Sequence, residues 1–344
     1  MPAELPPALL PEVASWLRRR SWSAADRPVQ SLIAAKEAAG RAGTISVVLP
    51  ALDEEATVGQ IVTVIRRELM ERLPLVDELV VVDSGSADRT AEAAAEAGAR
   101  VVHRDAILPR LPAEPGKGEV LWRSLLVTSG EIVCFVDADL RDFDPAFVSG
   151  IVGPLLTEPG IQLVKAMYDR PLTLPGGGPD GSGGPVDPVG GGRVTELVAR
   201  PLLNLHWPEL AGFVQPLGGE YAARRSLLER LPFPTGYGVE LGLLVDALET
   251  AGLDALAQVD VGVRHHRHQD SQALGRMAAT IYRTALERLD RAHRLKAAED
   301  LVRPLLTQFT RTGTGFTART HPVGAVERPP MHTVPEYPGR HTAR

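Results

Sequence analysis

The sequence predicts an α/β fold built on a mainly parallel sheet with helices on both faces. Three observations predict it. Short, β-branched apolar runs recur at Thr44–Leu49, Glu78–Asp83, Arg100–His103 and Glu131–Asp137, each too short for a typical helix. They lack the polar alternation of a half-exposed strand, so they read as strands buried on both faces. Segments of helical period lie between them, and alternating β and α at this spacing gives a parallel sheet.

Taken in order, residues 1–43 are punctuated by Pro2, Pro6, Pro7 and Pro11 and read as an arm on a core built elsewhere, with one helix near 29–40. The core begins at Thr44, and Pro50 stops its first strand. From Ala56 to Glu71, the residues Val58, Ile61, Val62 and Ile65 recur at helical spacing. Ser86 is the expected cap of an alanine-rich helix over 87–97, with Gly98 as its stop. Residues 175–192 are mostly Gly and Pro and predict a mobile loop. After Asp270 an amphipathic helix is expected through Met277, Ile281, Ala285 and Leu289, and 311–344 read as an irregular tail. The chain therefore divides into an arm (1–43), a main domain (44–270) and a C-terminal helical segment with its tail (271–344).

Composition narrows the function. The 344 residues are 44% hydrophobic and 23% charged, ordinary globular usage. No apolar run reaches the roughly 18 residues of a membrane helix, and no secretory leader is visible. A single cysteine, Cys134, excludes an internal disulfide and fits a reducing cytoplasm. A net charge of −6 argues against a general nucleic-acid binder. The expectation is a cytoplasmic enzyme acting on a small molecule.

Ligands of open parallel sheets sit at the carboxyl ends of the strands. The first strand opens into Pro50-Ala51-Leu52-Asp53-Glu54-Glu55, which reads either as acid-rich helix capping or as a nucleotide contact. The second ends in Asp83-Ser84-Gly85-Ser86, small residues that suit a closely approaching polar ligand. Pro115-Gly116-Lys117-Gly118 places a lysine between glycines at a helix start, with room for a diphosphate, although the spacing is not that of a P-loop. The fourth strand ends in Asp137-Ala138-Asp139. Two carboxylates at a sheet mouth call for a positive partner, and a divalent metal carrying diphosphate oxygens supplies one. Together these describe a nucleotide-sugar site.

With these motifs placed, the sequence resembles the GT-A glycosyltransferases, and more narrowly the glucosyl-3-phosphoglycerate synthase family. The match also rests on Gly190–Leu203, Gln215–Tyr221 and Gly236–Glu240, and all of these stretches run in family order between about 44 and 270. The resemblance implies a GT-A fold with a helical C-terminal extension, and α-retaining transfer of glucose from UDP-glucose to 3-phosphoglycerate. It further implies a divalent metal, Mg2+ or Mn2+, and a homodimer.

Carried over by position, Pro50 to Glu54, Ser84, Lys117, Asp137, Ala138, Arg264 and Tyr237-Gly238-Val239-Glu240 hold the nucleotide sugar. Gly192, Arg193, Val194, Thr195 and His268 hold the acceptor. Asp139 and His266 hold the metal, and Glu240, Lys117 and Asp139 carry the catalysis. The residue types suit these roles: the Arg193 fork matches a carboxylate or phosphate, and imidazole with carboxylate suits Mg2+ or Mn2+. Asp53 and His268 stand where the family commonly shows Asn, and 175–189 looks unlike its relatives. Two rivals are mannosyl transfer from GDP-mannose and a non-catalytic nucleotide-binding regulator. The intact Asp137, Asp139, Lys117 and Glu240 argue against the regulator.

Overall fold

Eight strands form one sheet in the computed structural model, which describes residues 9–173, 186–187, 192–264, 270–293, 305–312, 315–322 and 326–337. In chain order they are β1 (Ser21–Ser23), β2 (Ile45–Ala51), β3 (Glu78–Asp83), β4 (Arg100–His103), β5 (Ile132–Phe135), β6 (Leu163–Asp169), β7 (Tyr221–Arg224) and β8 (Leu256–Val263). Their order across the sheet is β1-β8-β6-β7-β5-β2-β3-β4. Only β7 runs antiparallel to its neighbours, so the carboxyl ends of the other seven share one edge.

Successive residues of β2 enter opposite apolar layers, with Val48 in one and Val47 and Leu49 in the other. Burial of both faces explains why β2, β3 and β5 read as unbroken apolar runs. Helices cover the faces: α1 (Pro11–Arg20), α2 (Val29–Ala39), α3 (Val58–Ile65), α4 (Thr90–Glu96), α5 (Lys117–Val127), α6 (Ala146–Thr157), α7 (Arg200–His206), α8 (Val239–Ala251) and α9 (Ser271–Arg291). Asp270 caps α9 by accepting from the amides of Gln272 and Ala273, and Ile281, Ala285 and Leu289 are its buried stripe, as the periodicity predicts.

The structure departs from the sequence reading in three places. Ser86 does not cap α4, which starts later, at Thr90; its hydroxyl instead donates to Asp83 and accepts from the Asp53 amide. Part of the N-terminal arm enters the core. The fully buried Trp16 donates to the Leu256 carbonyl at 2.7 Å, and β1 extends the sheet alongside β8. The tail expected to be irregular contains a hairpin, Leu305–Thr312 with Gly315–Pro322, and Glu327–Arg328 pairs with Phe233–Pro234. Threonine-rich runs favour strands, and Pro322 falls at the end of its strand, where a missing amide costs little. Most of the Gly/Pro loop expected over 175–192 lies outside the described residues; within it Val186–Asp187 pairs with Leu172–Thr173.

Candidate active site

The strand-end residues converge at the shared carboxyl edge. Pro50 and Ala51 end β2, and the Ser84 amide donates to the Ala51 carbonyl, joining the loops after β2 and β3. Asp53 sits at φ 56°, and its carboxylate accepts from the Ala87 amide. This left-handed conformation favours Asn and Asp among side-chain-bearing residues, so either residue serves the position. Leu52 is exposed at the turn, and the Glu54 amide donates to Thr90. Thr57 donates to the Ala138 carbonyl at 2.6 Å, tying the loop after β5 to the same wall.

Lys117 is the first residue of α5. The helix can start there because residue 118 is glycine: a Cβ at that position would overlap the Pro234 carbonyl. The Lys117 ammonium pairs with Asp137 and lies 2.9 Å from Glu240 Oε1 in the first turn of α8. Gly219 completes the fit, since a Cβ there would overlap both Asp137 oxygens and Lys117 Nζ. Tyr237 is exposed and Gly238 packs on Thr284, while Val239 is buried.

Arg264, just past β8, stands behind this pair. It is 4% exposed and contacts Asp137 Oδ2 at 2.8 Å, Asp139 Oδ1 at 3.1 Å and Glu220 Oε1 at 3.0 Å. Arg264, expected to hold the nucleotide sugar, directs its fork at three carboxylates of the same strand-end cluster. Two cations thus hold four carboxylates. Burial works to lower the Lys117 ammonium, yet Asp137 and Glu240 carry it well above its ordinary value. Burial also works against the charged Asp137, but Lys117 and Arg264 pull it down to about 2. Asp139 goes the other way: burial raises it, Arg264 opposes, and Asp137 and Glu220 add to the rise.

Asp139 also stands where acidic side chains outnumber basic ones. It lines a cleft of about 690 Å³ with Asp53, Glu54, Glu55, Asp88 and Asp142. A hard divalent cation relieves that excess, and carboxylate oxygen is its preferred donor. Among the described residues no three His, Cys, Asp or Glu side chains are grouped to hold a metal. The other expected ligand, His266, lies outside the described residues, as does His268.

The acceptor segment opens a second wall. Gly192 adopts φ 75° and its carbonyl receives the Glu196 amide, starting the turn that leads into α7. Arg193 is exposed, whereas Val194 and Thr195 are buried. Sequence reasoning missed Arg170, just after β6. A Cβ on Gly192 would lie 3.8 Å from Arg170 Cδ, and the Arg170 charge also acts on Asp137. It missed Tyr168 too, whose hydroxyl donates to Glu220 at 2.7 Å. The legible signal was Tyr168-Asp169-Arg170, polar and charged residues closing a largely apolar run that was not recognised as a strand.

The chain is similar to known proteins across most of its length. The model for glycosyl transferase family 2 matches residues 46–169. The glucosyl-3-phosphoglycerate synthase of Mycolicibacterium smegmatis is 50% identical, over 93% of this chain and 98% of that one. The crystal structure of glucosyl-3-phosphoglycerate synthase from Mycobacterium tuberculosis, in complex with Mn2+, UDP and phosphoglyceric acid, superposes with a TM-score of 0.75 at 49% identity, covering 88% of this chain and 94% of that one. Mannosyl-3-phosphoglycerate synthase from Rubrobacter xylanophilus superposes with a TM-score of 0.83 at 40% identity, covering 95% and 98%. The mainly parallel sheet, the converging strand-end residues and this near full-length similarity agree: the chain belongs to the glucosyl-3-phosphoglycerate synthase family.

Proposed function

We propose that the protein transfers glucose from UDP-glucose to 3-phosphoglycerate with retention of the α configuration. The observation that carries the reading is Lys117 held between Asp137 and Glu240 beside Asp139, where the sheet's carboxyl ends meet. Lys117 faces the diphosphate and stabilises the charge that develops as the anomeric C–O bond breaks. Glu240 accepts hydrogen bonds from the glucose hydroxyls. Arg193, with Arg170 beside the same loop, receives the acceptor's carboxylate and phosphate. The acceptor hydroxyl oxygen bonds to the anomeric carbon from the face the diphosphate leaves, and its proton passes to a diphosphate oxygen, releasing UDP. A divalent cation held by Asp139 and His266 supplies Lewis-acid neutralisation of the diphosphate when bound.

These substrates are charged metabolites of the cell interior, and in this reading the protein works in the cytoplasm. It works there as a homodimer. Leu197 and Leu205 are 76% and 75% exposed on the segment packed beside α9, where Tyr282 is also half exposed, an apolar surface that a second copy would cover. No helix among the described residues is long and apolar enough to cross a membrane.

The mannosyl reading keeps one observation in its favour, the fit to the Rubrobacter xylanophilus enzyme. The test is a donor panel, UDP-glucose and GDP-mannose each with 3-phosphoglycerate and Mn2+, read as nucleoside diphosphate released. Release from UDP-glucose is expected. Release from GDP-mannose alone would replace this reading with the mannosyl one.

A further inference from the structure

Lys165 sits in the middle of β6, 3% exposed, on a strand buried along most of its length. A buried ammonium is costly unless its donors find partners. This one donates to the Gly218 carbonyl at 2.8 Å and lies 4.7 Å from the centre of the Tyr221 ring on neighbouring β7. Burial pulls it down to about 8, with Glu240, Glu220 and Asp137 opposing and Lys117 adding to the fall. The Gly218 amide in turn donates to the Gln215 carbonyl, so the peptide groups on both sides of Gly218 are tied. The next residue, Gly219, is the one whose Cα leaves no room for a Cβ beside Asp137 and Lys117. Glu220 follows and receives Arg264 and Tyr168. One short segment therefore connects Lys165 to Asp137, Lys117 and Arg264.

We propose that Lys165 is a positioning residue for the transfer: by holding the Gly218 carbonyl it seats Gly219 against Asp137 and Lys117 and fixes the Lys117 ammonium where the donor's diphosphate leaves. Lys165 itself touches no substrate. The inference rests on the functional reading above for what the site binds, and on the geometry alone for how the site is held.

The experiment compares Lys165→Met, which keeps the stem and removes the ammonium, with Lys165→Arg, Gly219→Ala and the Lys165→Met/Gly219→Ala pair. Steady-state kinetics in both substrates, calorimetric titration of UDP with Mn2+ and the melting temperature are read for each. A misplacement of the order of an ångström predicts that Lys165→Met loses about ten- to a hundredfold in kcat. UDP affinity should fall alongside, while the KM for 3-phosphoglycerate stays within about twofold. Lys165→Arg recovers part of the loss. Gly219→Ala reproduces the donor-side pattern, and the double variant is no worse than the poorer single, because both act through one contact.

A folded Lys165→Met with wild-type kcat and UDP affinity overturns the proposal, as do losses that fall equally on both substrates or that simply add. If Lys165→Met does not fold, Lys165→Gln takes its place, and unchanged UDP affinity there overturns the proposal equally. If the wild type binds UDP but makes no product from UDP-glucose, the functional reading fails, and the inference is still judged on UDP affinity.

Discussion

Replacing Glu240 by glutamine separates two ways of reaching an α-linked product. Glu240 lies 2.9 Å from Lys117, and its side chain is 9% exposed. The amide keeps the size and one acceptor oxygen but removes the charge. Lys117 retains Asp137 as its counter-ion, so the pocket is not left with an unpaired cation. The loss is then one charge-assisted hydrogen bond at a largely buried carboxylate, about 1.5–3 kcal/mol. If it falls wholly on the transition state, it corresponds to about one to two decades in rate. Glu240→Gln should therefore remain measurably active, give the same anomer and discriminate less well among donor sugars. A nucleophilic Glu240 predicts something different, near-complete loss of turnover and a covalent glucosyl-enzyme in the wild type. The assay is kcat/KM for UDP-glucose, with intact-protein mass spectrometry under donor-only conditions. An adduct of one hexose mapped to Glu240, or an inactive but folded Glu240→Gln, would refute the hydroxyl-binding role.

Asp139→Ala should cut transfer by about three decades or more, the scale of several kcal/mol of lost charge stabilisation; chelation of the wild type should match it in the same UDP-release assay. Arg193→Lys keeps the charge but loses the fork, so the KM for 3-phosphoglycerate should rise about tenfold or more with the KM for UDP-glucose nearly unchanged. Away from the site, burial works to raise the Glu78 carboxyl, but Ser46, the Ser129 amide and Arg100 bring it below its ordinary value. A lowered carboxyl contributes stability above its unfolded pKa and loses it as pH falls through the folded one. Glu78→Gln should then cost about 2 kcal/mol at neutral pH, and the difference from wild type in urea melts should shrink as the pH falls below about 4.

The strands legible in the sequence were those with a β-branched apolar centre: β2, β3, β4 and β5 announced themselves, although β4 is only partly buried at the sheet edge, and the motifs after β2, β3 and β5 met at one edge as the parallel-sheet rule requires. β6 and β7 did not. β6 carries Lys165 inside its run, a charge that the Gly218 carbonyl, the Tyr221 ring on neighbouring β7 and the nearby carboxylates make tolerable. β7 is Tyr221-Ala222-Ala223-Arg224, which carries no β-branched residue to mark it as a strand. The antiparallel insertion that brings Gly219 and Glu220 to Asp137 therefore rests on long-range pairing that no local pattern records. The same holds for Arg264. Its three carboxylate partners, Asp137, Asp139 and Glu220, come from elements far apart in the chain, and no local pattern records their meeting. At the N-terminus, prolines suggested an arm, and Trp16 is integrated because its indole finds the Leu256 carbonyl 240 residues away.

The central claim is the reaction itself, and one product measurement tests it most directly. Wild-type protein is incubated with UDP-glucose, 3-phosphoglycerate and Mn2+, and the phosphorylated product is isolated and assigned by proton NMR and mass. The account predicts a single product, one hexose on the hydroxyl of 3-phosphoglycerate with α anomeric configuration, formed in step with UDP. A β-linked product, or UDP released without any transfer to 3-phosphoglycerate, would contradict it.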